Sequence, residues 1–308
     1  ILIPVMKEKG YDDDYAVNVT VTSSIAGIMI PPSHNMILFA VAAGGGISIS
    51  KLFLAGVVPG VVMCLCLAVA AYLIAVRRGY QAERFPGFSS MFLTFLAAVP
   101  GLFTAVIIVG GVLSGVFTVT ESGAFGTIYA FLVTILVYRA LSWENFKIAV
   151  VNSVRTTSMV MILVACAAAF AYMLTFFQVP SRMIDFMTGI SENPIIILLM
   201  INLMLLVLGM IMDMAALILI CTPIFLPVAA SIGVDPLQFG MILMMNLGLG
   251  LCTPPVGACL FVGCAVGNVP IERAVRTIWP FYAAIFVALM LTTFIPAISL
   301  TLPNLLAE

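Results

Sequence analysis

Apolar runs long enough to cross a bilayer alternate along this chain with short stretches that carry all of its charge. Positions free of Asp, Glu, Lys and Arg extend over 15–50, 52–76, 85–120, 122–138, 156–181, 193–212, 214–234, 236–271 and 277–307. A crossing helix needs about 20 predominantly apolar residues, so most of these runs predict spanning helices. A transmembrane barrel would alternate apolar and polar residues over roughly 10-residue segments, and no such alternation occurs. Two runs share an internal flaw, the pattern GxxxPP, at 27–32 and 250–255. Its prolines and glycine remove backbone hydrogen bonds, which membrane depth tolerates only where the freed groups are buried in protein or line a cavity.

The two flaws belong to a repeat. Moving 223 residues along the chain carries Pro4 to Pro227, Gly10 to Gly233, Asp12 to Asp235, Gly27 to Gly250 and Pro31-Pro32 to Pro254-Pro255. The offset holds for 43 residues with only nine identities, concentrated on residues that set backbone geometry. Lys and Arg are enriched in cytoplasmic loops. If 7–13 is cytoplasmic, a broken helix over 14–44 goes out, 57–76 returns, 91–116 goes out, 122–138 returns and 156–178 goes out. A hairpin then dips in from outside at 194–208, turns at 209–213 and climbs back by 230. A second broken helix over 236–268 runs inward and 278–302 runs out. Ten of the twelve Lys and Arg fall inside, leaving Lys51 and Arg182 outside. The repeats therefore run in opposite directions, and paired interruptions in inverted halves point to the binding site of a secondary transporter.

Composition agrees: 63% hydrophobic and 8% charged residues exclude a soluble domain, whose charged share is about 25%. The net charge of −1 offers no basic surface to nucleic acid. Seven cysteines sit inside apolar runs and His34 is the single histidine, so no zinc site is expected. No nucleotide-binding glycine loop occurs. The chain opens without methionine or a basic flank and reads as lacking a signal peptide and as truncated. Residues 1–6 align with only the end of a hairpin arm, and roughly 100 or more upstream residues are expected if the halves are equal.

The chain resembles, over its whole length, the large membrane subunit of tripartite ATP-independent periplasmic (TRAP) transporters, the DctM type. The resemblance rests on SSIAGIMIPPS at 23–33, LFLAGVVPG at 52–60, VTES at 119–122, NLMLLVLGMIMD at 202–213, TPIFLPV at 222–228, GVDPLQFG at 233–240 and NLGLGLCTPPVG at 246–257. Val119 departs from it, standing where the family usually has proline. The resemblance implies an all-α polytopic fold, an elevator-type movement driven by sodium, a site in the bacterial inner membrane, and no enzymatic activity. It also implies an organic-acid substrate handed over by a periplasmic substrate-binding protein, and a small membrane subunit, separate or fused. No cofactor is expected beyond sodium as coupling ion.

On this reading 1–56 is the rest of the first repeat, 57–193 the scaffold and connecting helices, 194–277 the second transport region, and 278–308 the C-terminal span. The segments 48–56 and 270–277 read as interfacial arms, and 144–155 as a further interfacial stretch or a solvated helix start. Unwound segments expose carbonyl oxygens that suit a hard cation. One sodium site is assigned to Gly209, Gly250, Thr253 and Val256, and the offset places another at Gly27, Ile30 and Ser33. Substrate is expected between the breaks, against Ser33, His34 and Asn35 on one side and Thr253 on the other, with helix N-termini attracting a carboxylate. A lone histidine in an apolar run is more often simply bonded to a neighbour, and His34 also carries that reading. Ser23, Ser24 and Asn246 either line the same cavity or bond between helices. Asp213 and Glu121 are acids in apolar surroundings, read as helix caps or as coupling groups. Competing functions are a proton-coupled or other ion-driven anion transporter without a binding protein, an intramembrane protease and a channel. Asp185 and Asp213, the late acid pair, fall at different depths, which argues against the protease.

Overall fold

The computed structural model describes residues 2–80 and 87–306, among which fifteen helices and no strand occur. In chain order they are α1 Leu2–Glu8, α2 Asp13–Met29, α3 His34–Ala42, α4 Ile49–Arg78, α5 Phe88–Leu113, α6 Val119–Leu136, α7 Trp143–Phe176 and α8 Val179–Ile190. There follow α9 Pro194–Gly209, α10 Met214–Ser231, α11 Pro236–Leu251, α12 Ala258–Gly267, α13 Ile271–Thr277, α14 Trp279–Phe294 and α15 Pro296–Leu306. They form two compact units, Ile1–Tyr80 with Cys166–Glu308, and Gln81–Ala165.

Both GxxxPP segments interrupt helices. The first separates α2 from α3, which diverge by 50°; the second separates α11 from α12. The Pro-Pro bond is cis in both. Contacts along the two bent helices show that they run antiparallel. A Cβ on Gly240 would meet the Phe39 ring, one on Gly248 would meet Ile25 and Ile28, one on Gly263 would meet Val21 and Val17, and one on Gly267 would meet Val17 and Ile3. The residue numbers rise on one helix as they fall on the other. Ile25 and Gly248 lie 223 residues apart, so equivalent positions of the two repeats touch each other, as they do where a twofold axis passes between inverted halves.

One end of this unit is tied by charge. Asp12, Asp13 and Asp14 lie at the start of α2. Arg78 of α4 binds Asp12 and Asp14 at 2.8 Å each, Lys7 binds Asp13 at 3.0 Å, and Arg273 of α13 lies 4.0 Å from Asp14. Tyr80 donates to Asp12 at 2.8 Å, and the Lys7 ammonium donates to the Gly267 carbonyl. Lys7, Arg78 and Arg273 come from three stretches assigned to the cytoplasmic side by charge alone, and they converge at one end of the fold.

Two boundaries differ from the sequence reading, and one left open is decided. The arm expected at 48–56 is the first part of α4, one continuous 30-residue helix. Ser48, Ser50 and Lys51 mark its wet end rather than a break: Ser48 caps it by accepting from Lys51 N. The stretch 144–155 is the start of a helix, the second of the two readings given for it: it begins α7, whose 34 residues contain neither Gly nor Pro to interrupt them. The span expected at 278–302 instead bends by 61° ahead of Pro296, whose missing N–H ends α14. The second arm, α13, turns 113° from α12.

In the smaller unit α5 and α6 pack together, with Gly126 against Ile108 and Ser122 donating to the Ile108 carbonyl at 2.7 Å. Tyr129 and Tyr138 donate to the carbonyls of Pro100 and Ala97, around the proline inside α5.

Candidate functional site

The second break is built against the hairpin tip between α9 and α10. Gly209 and Gly250 meet backbone to backbone: a Cβ on Gly250 would fall 2.6 Å from Gly209 Cα and 2.7 Å from its carbonyl oxygen. This approach lets Val256 N donate to the Met210 carbonyl at 3.1 Å, joining break to tip. Thr253 donates through Oγ1 to Leu249 O at 2.7 Å, and its N donates to Gly250 O at 2.9 Å. The Cys252 carbonyl, whose helical donor Val256 N is turned to Met210, accepts from the Tyr282 hydroxyl of α14. The carbonyls of Thr253 and Val256 have no hydrogen-bond partner among the described residues.

The first break is less supported. A Cβ on Gly27 would meet nothing within 4 Å. Gly56 and Gly60 of α4 instead bring that helix onto Met29 and Ile30, and Ile30 is 42% exposed. Ser33 is buried at the N-cap of α3 without a side-chain capping bond. His34 is exposed. Asn35 is buried and reaches Met214 Sδ of the returning hairpin arm at 3.4 Å. The first break thus abuts α10 just beyond the tip.

A cavity of about 500 Å³ opens beside the second break, lined by Thr20 and Ser24 of α2, Asp213 at the tip, and Leu251, Ala258 and Cys259 flanking the break. On the other side of the break an apolar cavity of about 320 Å³ is lined by Met210, Thr253, Trp279, Tyr282 and Phe286. Ser33, His34 and Asn35 line neither. Ser23 opens onto a third cavity, with Cys64 and Phe281.

Asn246 is fully buried between helices. It donates to Asn202 of α9 at 2.5 Å, and Asn202 donates in turn to Thr293 of α14 at 3.4 Å. Gln238 adds bonds from α11 to the carbonyls of Thr292 and Thr293. These amides fasten hairpin, broken helix and α14 together.

Both acids act as caps. Asp213 accepts from Ala215 N at 2.9 Å at the start of α10. Glu121 accepts from Thr118 N at 2.8 Å while Thr118 Oγ1 accepts from Glu121 N at 3.3 Å, a reciprocal capping box. Asn caps as well as Asp, so Asp213→Asn is expected to keep wild-type transport at every pH. Asp213→Ala is expected to lose about 1 kcal/mol of stability. A transport pH profile displaced by Asp213→Asn would show that the carboxylate couples protons.

Sequence reasoning missed Thr20, Cys259, Tyr282 and Asn202. Thr20 carried a legible signal, lying one helical turn before Ser24 on the same face of α2. Cys259 lies one turn after the break, among cysteines read only as small apolar residues, whereas Tyr282 and Asn202 are joined to the site by contacts between helices distant in sequence.

Two broken helices, antiparallel, with a glycine-bearing hairpin tip seated on one of them, form the arrangement inferred from the doubled motif. The model of the tripartite ATP-independent periplasmic transporter DctM component matches residues 1–298. This chain belongs to the DctM family. It is 39% identical over 307 residues to the uncharacterized protein YgiK of Salmonella typhimurium, covering 100% of this chain and 70% of that one. It is 37% identical over 304 residues to the sialic acid TRAP transporter large permease protein SiaM of Vibrio cholerae, covering 97% and 70%. It is also 37% identical over 304 residues to the C4-dicarboxylate TRAP transporter large permease protein DctM of Pseudomonas aeruginosa, covering 99% and 71%. A DctM protein is a transporter component and not an enzyme, which removes the intramembrane protease. The long apolar helices and bent pairs accord with the all-α polytopic fold of such a permease.

Proposed function

We propose that this chain is the part of a TRAP permease that carries an organic acid inward across a bacterial inner membrane in symport with sodium. The observation that carries this reading is the glycine-to-glycine seat of the hairpin tip on the second break, inside a pair of inverted broken helices. Relatives named for sialic acid and C4-dicarboxylate transport support a carboxylate substrate. The 500 Å³ cavity has no Lys or Arg in its lining. An anion there is met by the N–H groups that open α12, at Ala258 and Cys259, where Gly257 supplies no side-chain cap. The hydroxyls of Thr20 and Ser24 complete its hydrogen bonds. Sodium is held at the carbonyls of Gly209, Gly250, Thr253 and Val256, and a second ion at Gly27, Ile30 and Ser33. A periplasmic binding protein delivers the substrate, a small membrane subunit completes the complex, and the hairpin with both breaks moves as an elevator.

Uptake into proteoliposomes by the complex with its binding protein is expected to require a sodium gradient. Thr253→Ala and Ser33→Ala are each expected to raise the sodium concentration for half-maximal uptake several-fold. Unchanged sodium activation in both variants would remove the side-chain roles. Uptake driven by a proton gradient without sodium, or without binding protein, would instead favour the other ion-driven anion transporter.

A further inference from the structure

A groove of about 610 Å³ runs between α4 and α14, walled by Leu65, Val69 and Leu73 on one side and Ala283, Ala284 and Val287 on the other. The small residues open it: alanines face the long side chains of α4 across its length. The groove ends at Arg77 and Pro280. Leu65 and Leu73 are each 61% exposed, so the groove faces outward from the unit rather than into its core.

Arg77 differs from its neighbour. Arg78 is bound to Asp12 and Asp14, whereas Arg77 is exposed and has no ion pair among the described residues. No acid lines the groove among the described residues. From Leu65 to Arg77 the helix rises about 18 Å, a little over half of a hydrocarbon core about 30 Å thick. The distribution of Lys and Arg, and the convergence of Lys7, Arg78 and Arg273 at the same end, put Arg77 at the cytoplasmic surface. The groove thus starts with a guanidinium unpaired among the described residues at the headgroup level and continues as apolar wall through one leaflet.

We propose that this groove is a binding site for an anionic phospholipid of the cytoplasmic leaflet. One acyl chain lies between α4 and α14, and Arg77 holds the phosphate, for which a planar guanidinium is the best-matched side chain. Basic pockets between membrane helices on the cytoplasmic side select acidic headgroups, and a single arginine there is worth about fivefold in affinity.

The test is native mass spectrometry of the purified protein in detergent, with dioleoylphosphatidylglycerol and dioleoylphosphatidylcholine in competition. The expected result is one retained lipid, with the glycerol headgroup preferred about fivefold. Arg77→Gln is expected to bring that preference close to one without shifting the melting midpoint. Ala284→Phe, which fills the groove, is expected to lower retention of both lipids. Equal retention of the two lipids by the wild type, or an unchanged preference in Arg77→Gln, would overturn the proposal. So would displacement of the lipid on adding the small membrane subunit, which would make the groove a protein interface.

Discussion

Replacing Gly250 by alanine is expected to reduce sodium-driven uptake tenfold or more, and to lower stability by about 1–3 kcal/mol, the range for forced overpacking. The added methyl would overlap the main chain of Gly209. Backbone cannot rotate out of the way as a side chain can, so the tip must lift from the break. Lifting it breaks the Val256 N to Met210 O bond and separates the carbonyls proposed to share a cation. Gly209→Ala is the milder partner, because its Cβ would stand 3.3 Å from Gly250 Cα and Leu247 Cα, a distance small shifts can relieve. Uptake and melting measured on both variants check the order of severity. Wild-type uptake by Gly250→Ala would show that transport does not need tip and break in contact.

A second large effect is expected at the charged end. Arg78→Gln removes the cation that two carboxylates share, and Asp14 has only 6% of its side chain exposed. Breaking a buried pair from one side leaves an uncompensated charge and costs about 3–5 kcal/mol. Arg78 is itself a quarter exposed and Arg273 stays 4.0 Å from Asp14, so the loss is expected no higher than the low end, about 3 kcal/mol. The double variant Arg78→Gln with Asp14→Asn should recover much of the loss, since the buried carboxylate is then neutral and the remaining one, Asp12, is half exposed. Melting of both variants decides it, and Arg78→Gln as stable as wild type would mean that water reaches Asp14 freely.

The spans, the breaks and the ends of the fold were legible because each depends on residues close together in sequence. A run without charge is a helix in lipid, Gly and Pro in such a run open its backbone, and Lys and Arg mark the wet side. Asp14 was read only as the first residue of the broken helix, next to a charged cytoplasmic segment, and was not singled out. Burial comes from Arg78 and Arg273, which no local pattern announces. The continuity of α4 was hidden for the converse reason. Polar residues at the end of a long helix look like an interfacial segment, and only a break in the backbone would make them one. The partners of Asn246 and Cys252 lie on helices remote in the chain, so the side chains that hold the hairpin to the break could be found only in three dimensions.

The antiparallel pairing of the broken helices has an electrical consequence. At the two breaks α2 and α11 end, each contributing about half a negative charge, and α3 and α12 begin, each contributing about half a positive one. The four helix ends sum to zero. Neither a cation nor an anion alone gains from that set as a whole, but the two together do, each at its own pair of ends. Asp213 is then the one formal charge on the lining of the 500 Å³ cavity, and it is spent on the N-terminus of α10. Apart from that capped carboxylate, whatever net charge crosses in a turnover is carried by the ligands themselves. The voltage dependence of uptake should therefore count ions minus substrate charge.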